Sequence, residues 1–293
     1  MDALGLGRVT VSDGGLATAL EARGHDLSDP LWSARLLLDD PAAIAEVHTA
    51  FFEAGAQIAT TATYQASFDA LAARGLDRAA SVRLLHRGVE LARAARDEAG
   101  GGWVAASVGP FGAARADGSE YRGRYGLSAA ELARWHRPRL EALAEAGPDL
   151  LALETIPDAT EAEALVGLVA ELGLPAWLSY TASGGRTRAG QPLAEAFAVA
   201  AGVDQIVAVG VNCCSPDEVP DAVRAVRAVT GKPAVAYPNS GEGWDVRSRS
   251  WTGPSRFDPS RAADWVGAGA SVVGGCCRVG PAGIAALSRT VAG

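Results

Sequence analysis

The chain is expected to fold as an α/β protein, a single-domain (β/α)8 TIM barrel over residues 1–293. Short apolar runs of strand length alternate with longer segments whose apolar residues recur every three to four positions, the rhythm of β-α units around a parallel sheet. The 293 residues, 48% of them hydrophobic, suit one such barrel, whose usual size is about 250 residues with room for longer loops. No stretch rich in Ser, Gly or Pro is long enough to link two domains, and no low-complexity tail is present.

The elements follow in order. Strand one is read at residues 8–12 and ends in Asp13-Gly14-Gly15. Asp39-Asp40-Pro41 places acidic caps and a proline at the start of a helix over 42–54. Strand two, 57–61, precedes a helix over 79–99, which Gly100-Gly101-Gly102 stops before strand three, 103–108. A helix over 129–146 stops at Gly147-Pro148, and strand four covers 150–153. Helix 160–172 then leads to strand 176–180, helix 193–201 to strand 205–211, and helix 218–229 to strand 234–237. Asp258-Pro259-Ser260 opens a helix over 261–266, and the eighth strand is read at 271–273.

Charge and composition exclude several classes. With 26 basic against 34 acidic residues, a net charge of -8 and Lys232 as the sole lysine, the chain does not suit nucleic-acid binding by phosphate neutralisation. Its apolar runs are broken well short of the roughly 18 to 20 residues a membrane span requires. The N-terminus lacks a basic segment followed by an apolar stretch, and four cysteines in so long a chain do not make a disulfide scaffold. A soluble protein of the reducing cytoplasm is expected, with small molecules as its partners. The four histidines, His25, His48, His86 and His136, show no paired metal spacing; the last three lie on expected helices and are read as surface or helix-face residues.

In such a barrel the C-terminal ends of the strands carry the site, while the interior is filled by side chains. Polar groups gather at those ends: Asp13 after strand one, Glu154-Thr155 after strand four, Asn212-Cys213-Cys214 after strand six, Pro238 to Glu242 after strand seven and Gly274-Gly275-Cys276-Cys277 after strand eight. Taken alone, Asp13 is as readily a turn or capping residue, and Glu154 as readily an ion-pair residue at the barrel mouth. The cysteines, all four in two adjacent pairs at strand ends, point to a soft metal such as zinc. Three thiolates leave a tetrahedral zinc with one open position, as in a catalytic site, whereas four would close it. Adjacent residues on a strand point to opposite faces, so a bend is needed. The Gly274-Gly275 pair is expected to supply unusual backbone angles that turn Cys276 and Cys277 to a common point. No such pair precedes Cys213-Cys214, so one of those two should face away, and alternation does not say which.

Gly210-Val211-Asn212-Cys213 together with Gly274-Gly275-Cys276-Cys277, in a barrel opening with Asp13-Gly14-Gly15, resembles the zinc-dependent homocysteine S-methyltransferases. The segments Thr60 to Ser67, Ser107 to Pro110 and Leu153 to Pro157 are similar to the same family, and the likeness spans nearly the whole chain. It implies that Cys213, Cys276 and Cys277 bind Zn2+, that Cys214 is a spare thiol, and that Asp13, Gly14 and Glu154 take part in binding the amino acid end of homocysteine.

What the resemblance implies is chemically coherent. A free thiol has a pKa of about 8.5 and is mostly protonated at neutral pH, and zinc would take it up as the nucleophilic thiolate. The methyl carbon must be activated by a positive charge, as in a sulfonium or quaternary ammonium, and aligned with the attacking sulfur. The segment Tyr237 to Glu242, followed by Trp244-Asp245, is similar to the enzymes that use S-methylmethionine, with S-adenosylmethionine as a further sulfonium donor and a betaine-type donor as the alternative. Trp32 and Tyr64 are candidate aromatic contacts for a cationic donor, while Trp244 and Trp251 flank an Arg-rich loop, residues 241–255, with the reach to cover the site. Two other classes stay open. One is a metal-independent barrel hydrolase with Asp13 and Glu154 as paired carboxylates; the other is a zinc-binding or redox-sensing protein without a substrate.

Overall fold

The structure, a computed structural model, describes residues 9–29, 31–245 and 250–292. Eight parallel strands run β1 (Thr10–Val11), β2 (Ile58–Thr60), β3 (Trp103–Val108), β4 (Leu150–Ile156), β5 (Ala176–Tyr180), β6 (Ile206–Asn212), β7 (Ala234–Tyr237) and β8 (Ala270–Val273). From β2 to β8 each pairs with the next in sequence, and β1 pairs with β8. A parallel bridge between Ser12 and Ile58 closes the ring, helped by the Gln57 N–H donating to the Val11 carbonyl at 2.7 Å and the Asp13 N–H to the Ile58 carbonyl at 3.0 Å.

The strands read as apolar runs because both of their faces are covered, by the barrel interior and by the outer helices. Alternation sorts them. In β4, Leu150 and Ala152 join Ile58, Trp177, Val235 and Val272 in the interior cluster, while Leu151 and Leu153 pack in the layer shared with the helices. That filled interior forces any ligand to the rim.

The helices that alternate with the strands are α1 (Pro41–Glu53), α2 (Arg78–Glu98), α3 (Ala129–Glu145), α4 (Ala159–Leu172), α5 (Leu193–Ala198), α6 (Val219–Thr230), α7 (Ala262–Ala268) and α8 (Pro281–Ala292), with shorter helical turns in the loops. Asp40 accepts the N–H of Ala43 at the start of α1, a cap whose loss typically costs about 1 kcal/mol. Asp258 caps a 3-10 turn, Pro259–Arg261, that leads into α7. Gly100, Gly101 and Gly102 all take positive φ between α2 and β3. No helix among the described residues is long and apolar enough to cross a membrane.

Several boundaries differ from the sequence reading. Of the first strand only Thr10–Val11 is regular, and Arg8 lies outside the described residues. The fourth strand continues past residue 153 to Ile156, because a register shift absorbs the polar Glu154-Thr155 step without breaking the pairing to β5. Helix α5 stops at Ala198, before the expected 201, and α8 adds an eighth helix that the reading did not include. His48 and His136 are fully buried rather than at the surface. His136 is satisfied by Glu161, at 2.8 Å, whereas His48 has no hydrogen-bond partner and burial pushes its pKa down to about 4, so it stays neutral.

Candidate metal and substrate site

At the end of β6 the chain turns sharply. Cys213 takes a left-handed φ of 46°, a conformation that costs a non-glycine residue about 1 kcal/mol or more. The turn splits the pair. Cys213 faces the rim, while Cys214 is packed in the outer apolar layer, where burial raises its pKa and keeps it a neutral thiol.

At the end of β8, Gly274 and Gly275 do not take left-handed angles, so the expected reason for the glycine pair is corrected. They are needed for space. A Cβ on Gly274 would lie 2.0 Å from the Ser12 hydroxyl oxygen, and one on Gly275 2.3 Å from the Val279 side chain. The left-handed residue is instead Arg278, at φ 69°, just after the two cysteines.

The sulfurs of Cys213, Cys276 and Cys277 all lie within 4.8 Å of one another, with Cys213 and Cys277 at 3.6 Å. Sulfurs around a tetrahedral zinc with bonds of about 2.3 Å sit about 3.8 Å apart, so the trio fits such an ion. Hydrogen bonding from its two thiol neighbours pulls the Cys213 pKa well down, and donating to Cys213, together with burial and the charge there, holds Cys276 and Cys277 up. The loop after β7 locks this geometry from the backbone. Asn239 donates to the Cys214 carbonyl at 3.0 Å, Cys276 to the Pro238 carbonyl at 2.9 Å and Ser240 to the Cys277 carbonyl at 3.1 Å.

Two buried carboxyl groups face the same rim. Asp13 accepts the N–H of Thr60 at 2.7 Å and also the Thr60 hydroxyl; burial nonetheless raises its pKa to about 8, with a further push from Glu154. Glu154 accepts the hydroxyl of Ser107, and burial raises it to about 7, with the charge of Cys213 adding to the rise. Neither forms an ion pair among the described residues. Burial without a cation favours the protonated form of both, and a positively charged group beside them would favour the ionised one.

Gly14 sits beneath this site. A Cβ there would lie 2.3 Å from the Val279 carbonyl and 2.9 Å from the Phe51 ring, so its bareness lets the first and eighth strand ends interlock. The turn at Thr155 aims Glu154. Thr155 takes φ 59°, and the Asn212 amide holds that turn by accepting the Thr155 N–H and donating to its hydroxyl, both at 2.7 Å. The same carboxamide oxygen accepts the Ser179 hydroxyl at 2.9 Å, and Ser179 lies 2.7 Å from the Tyr237 hydroxyl.

Sequence reasoning missed several members of the site. Thr60 and Ser107, which hold the carboxylates, lie in expected strands and in segments noted for their family likeness, with nothing to single them out. Tyr121, whose hydroxyl is 3.4 Å from the Cys213 sulfur, lies in the loop after β3 with no periodic signal to mark it. Trp32 and Tyr64 do meet, edge to face with centroids 6.4 Å apart, and Trp32 has a left-handed φ of 50°. Of the Arg-rich loop, residues 243–245 and 250–252 pair as an antiparallel ribbon, and residues 246–249 lie outside the described residues.

Residues 10–291 match the family model described as homocysteine S-methyltransferase. The chain belongs to the homocysteine S-methyltransferase family. It is 46% identical over 291 residues to the homocysteine S-methyltransferase of Escherichia coli strain K12, covering 95% of this chain and 94% of that one. It is 43% identical to homocysteine S-methyltransferase YbgG of Bacillus subtilis, covering 94% and 91%. Among solved structures, the metallated form of the E. coli homocysteine methyltransferase MmuM superposes with a TM-score of 0.86 at 44% identity over 96% of both chains. The rim of this family member carries three cysteine sulfurs that could hold a metal ion and a pair of carboxyl groups that form no ion pair among the described residues.

Proposed function

We propose that this chain is a zinc-dependent enzyme that transfers a methyl group from a sulfonium donor, S-methylmethionine foremost, to the sulfur of homocysteine, giving methionine. The observation that carries the reading is the convergence, on one barrel rim, of three sulfurs from two strand ends with two buried carboxyl groups that lack a cation.

Cys213, Cys276 and Cys277 would hold Zn2+, and Cys214 takes no part. Bound there, zinc supplies a Lewis acid that lets the substrate thiol lose its proton near neutral pH. The chain's own residues do the positioning. Asp13 and Glu154 ionise as the α-ammonium of homocysteine arrives, and each then has the counter-ion that burial denies it in the free protein. Thr60 and Ser107 fix the two carboxylates, so the amino acid end is anchored and its sulfur reaches toward the thiol trio. Gly14 contributes by close packing beneath Asp13.

The transfer forms a carbon–sulfur bond to homocysteine and breaks one at the donor, which leaves as a neutral thioether. No residue has to protonate the leaving group. Alignment of attacking sulfur, methyl carbon and leaving sulfur then supplies much of the acceleration. Four free cysteines suit a reducing compartment, which supports a cytoplasmic setting.

The test is methionine formation by zinc-replete protein supplied with homocysteine and S-methylmethionine. Turnover that is lost on chelation and restored by zinc is expected. No methionine from any sulfonium or betaine donor would overturn the reading.

A further inference from the structure

The loop after β3, residues 111–126, reaches the thiol trio through Tyr121. It is anchored at its start, where the Phe111 N–H donates to buried Glu161 at 2.6 Å. Beside Tyr121 opens a cavity of about 670 Å³ whose lining includes Arg115, Arg122, Arg124 and Arg188 but a single carboxylate, Asp117. Arg115 and Arg122 lean toward that aspartate, at 3.4 and 4.0 Å, and the Arg124 Nε donates to the Ala189 carbonyl at 2.7 Å. Arg188 forms no ion pair among the described residues. Its guanidinium instead lies over the Tyr121 ring, 5.8 Å from the centroid.

One ring therefore spans two environments, with its hydroxyl on a thiol and its face under an unpaired guanidinium. A second observation lies one residue away. The Glu120 carboxylate has a buried oxygen, Oε2, without any hydrogen-bond partner. The charge of Cys213 reaches it, and its own charge reaches Tyr64 and the cavity-lining Tyr125, so it lies beside the cavity and near the rim. Four guanidiniums against one carboxylate make the cavity a site for an anion, and the planar fork of arginine suits a carboxylate. A carboxylate beside it with one buried, unpartnered oxygen suits a hydrogen-bonding cation.

We propose that this cavity binds the amino acid end of the methyl donor, with Arg188 taking the α-carboxylate and Glu120 the α-ammonium, a reading that rests on the transfer reaction proposed above. The cation that Glu120 takes is the ammonium rather than the sulfonium. A sulfonium offers no N–H to donate, and its charge fades as the methyl group leaves, so holding it with a carboxylate would oppose the transfer. The two amino acid substrates are thereby kept apart: homocysteine at Asp13 and Glu154, the donor at Arg188 and Glu120.

Steady-state kinetics of the zinc-replete full chain test the assignment, using S-methylmethionine and its decarboxylated sulfonium amine as donors. For Arg188→Ala, an exposed position, the KM for S-methylmethionine should rise about tenfold or more, the value of a charge-assisted contact, while the KM for homocysteine stays put. The decarboxylated donor should be equally poor with parent and variant. Arg188→Lys should recover part of the loss, and Glu120→Gln should raise the donor KM alone. An active parent whose Arg188→Ala variant keeps the same donor KM, or loses homocysteine equally, overturns this proposal but leaves the transfer reading intact. A parent inactive with every sulfonium defeats both.

Discussion

The same dipeptide, Cys-Cys, follows both β6 and β8, yet the two ends deliver different numbers of sulfurs to the rim. At β6 the turn is made by a strained cysteine, and one sulfur goes to the rim while its neighbour goes to the apolar layer. At β8 two bare glycines let the chain press against Ser12 and Val279, the left-handed turn waits until Arg278, and both sulfurs reach the rim. Backbone path, rather than residue identity, thus sets the number of rim sulfurs at three. As ligands they would leave a tetrahedral metal one open position, which a fourth thiolate would fill.

Serine substitutions break the comparison most severely. Cys276→Ser or Cys213→Ser should abolish stoichiometric zinc and lower turnover on the order of a thousandfold or more, since the metal's contribution is lost with the ligand. Cys214→Ser should keep both, at a stability cost of about 1 to 3 kcal/mol for a buried hydroxyl. Zinc content and methionine formation on the same samples check this, and equal losses at 213 and 214 would refute the split.

Glycine 274 tests the other end. Gly274→Ala should destabilise the protein by about 1 to 3 kcal/mol, because the new methyl carbon needs the space that the Ser12 hydroxyl occupies. Thermal unfolding measures it, and the double variant with Ser12→Gly should regain part of the loss. A Gly274→Ala protein with unchanged Tm would show that the close approach does not constrain the turn.

The smallest effect concerns the carboxylate half of the rim. Burial lifts Asp13 from 3.8 to about 8 in the folded chain, so between those values the native state keeps a proton that the unfolded chain has released. Stability of the substrate-free protein from this group is therefore highest below about pH 4 and falls as pH rises toward 8. Asp13→Asn removes the dependence. Its Tm relative to the parent should climb by a few degrees between pH 5 and pH 8, and a constant difference across that range would contradict the assigned burial.

Much of the barrel was legible because parallel strands covered on both faces must be apolar, and helices over them must repeat with their own period. The strand ends were harder. Glu154-Thr155 looks like the start of a loop, but a register shift carries β4 through it, and the turn depends on Asn212, which is distant in sequence. The grouping of Cys213 with Cys276 and Cys277 was legible through family likeness, since strand alternation alone left Cys213 and Cys214 equivalent. The glycine pair was read as a source of unusual angles, when close approach to Ser12 and Val279 is its reason, a contact that only the closed barrel creates. Tyr121, Glu120 and Arg188 stayed hidden because loop residues carry no period and meet only once the barrel brings the loops after β3 and β5 together.

The central claim is best tested by zinc K-edge X-ray absorption of the metal-loaded protein with and without homocysteine. Three sulfur neighbours at about 2.3 Å are predicted in the substrate-free protein, and a fourth on adding homocysteine. Four sulfurs before substrate, or a shell that homocysteine leaves unchanged, would contradict it.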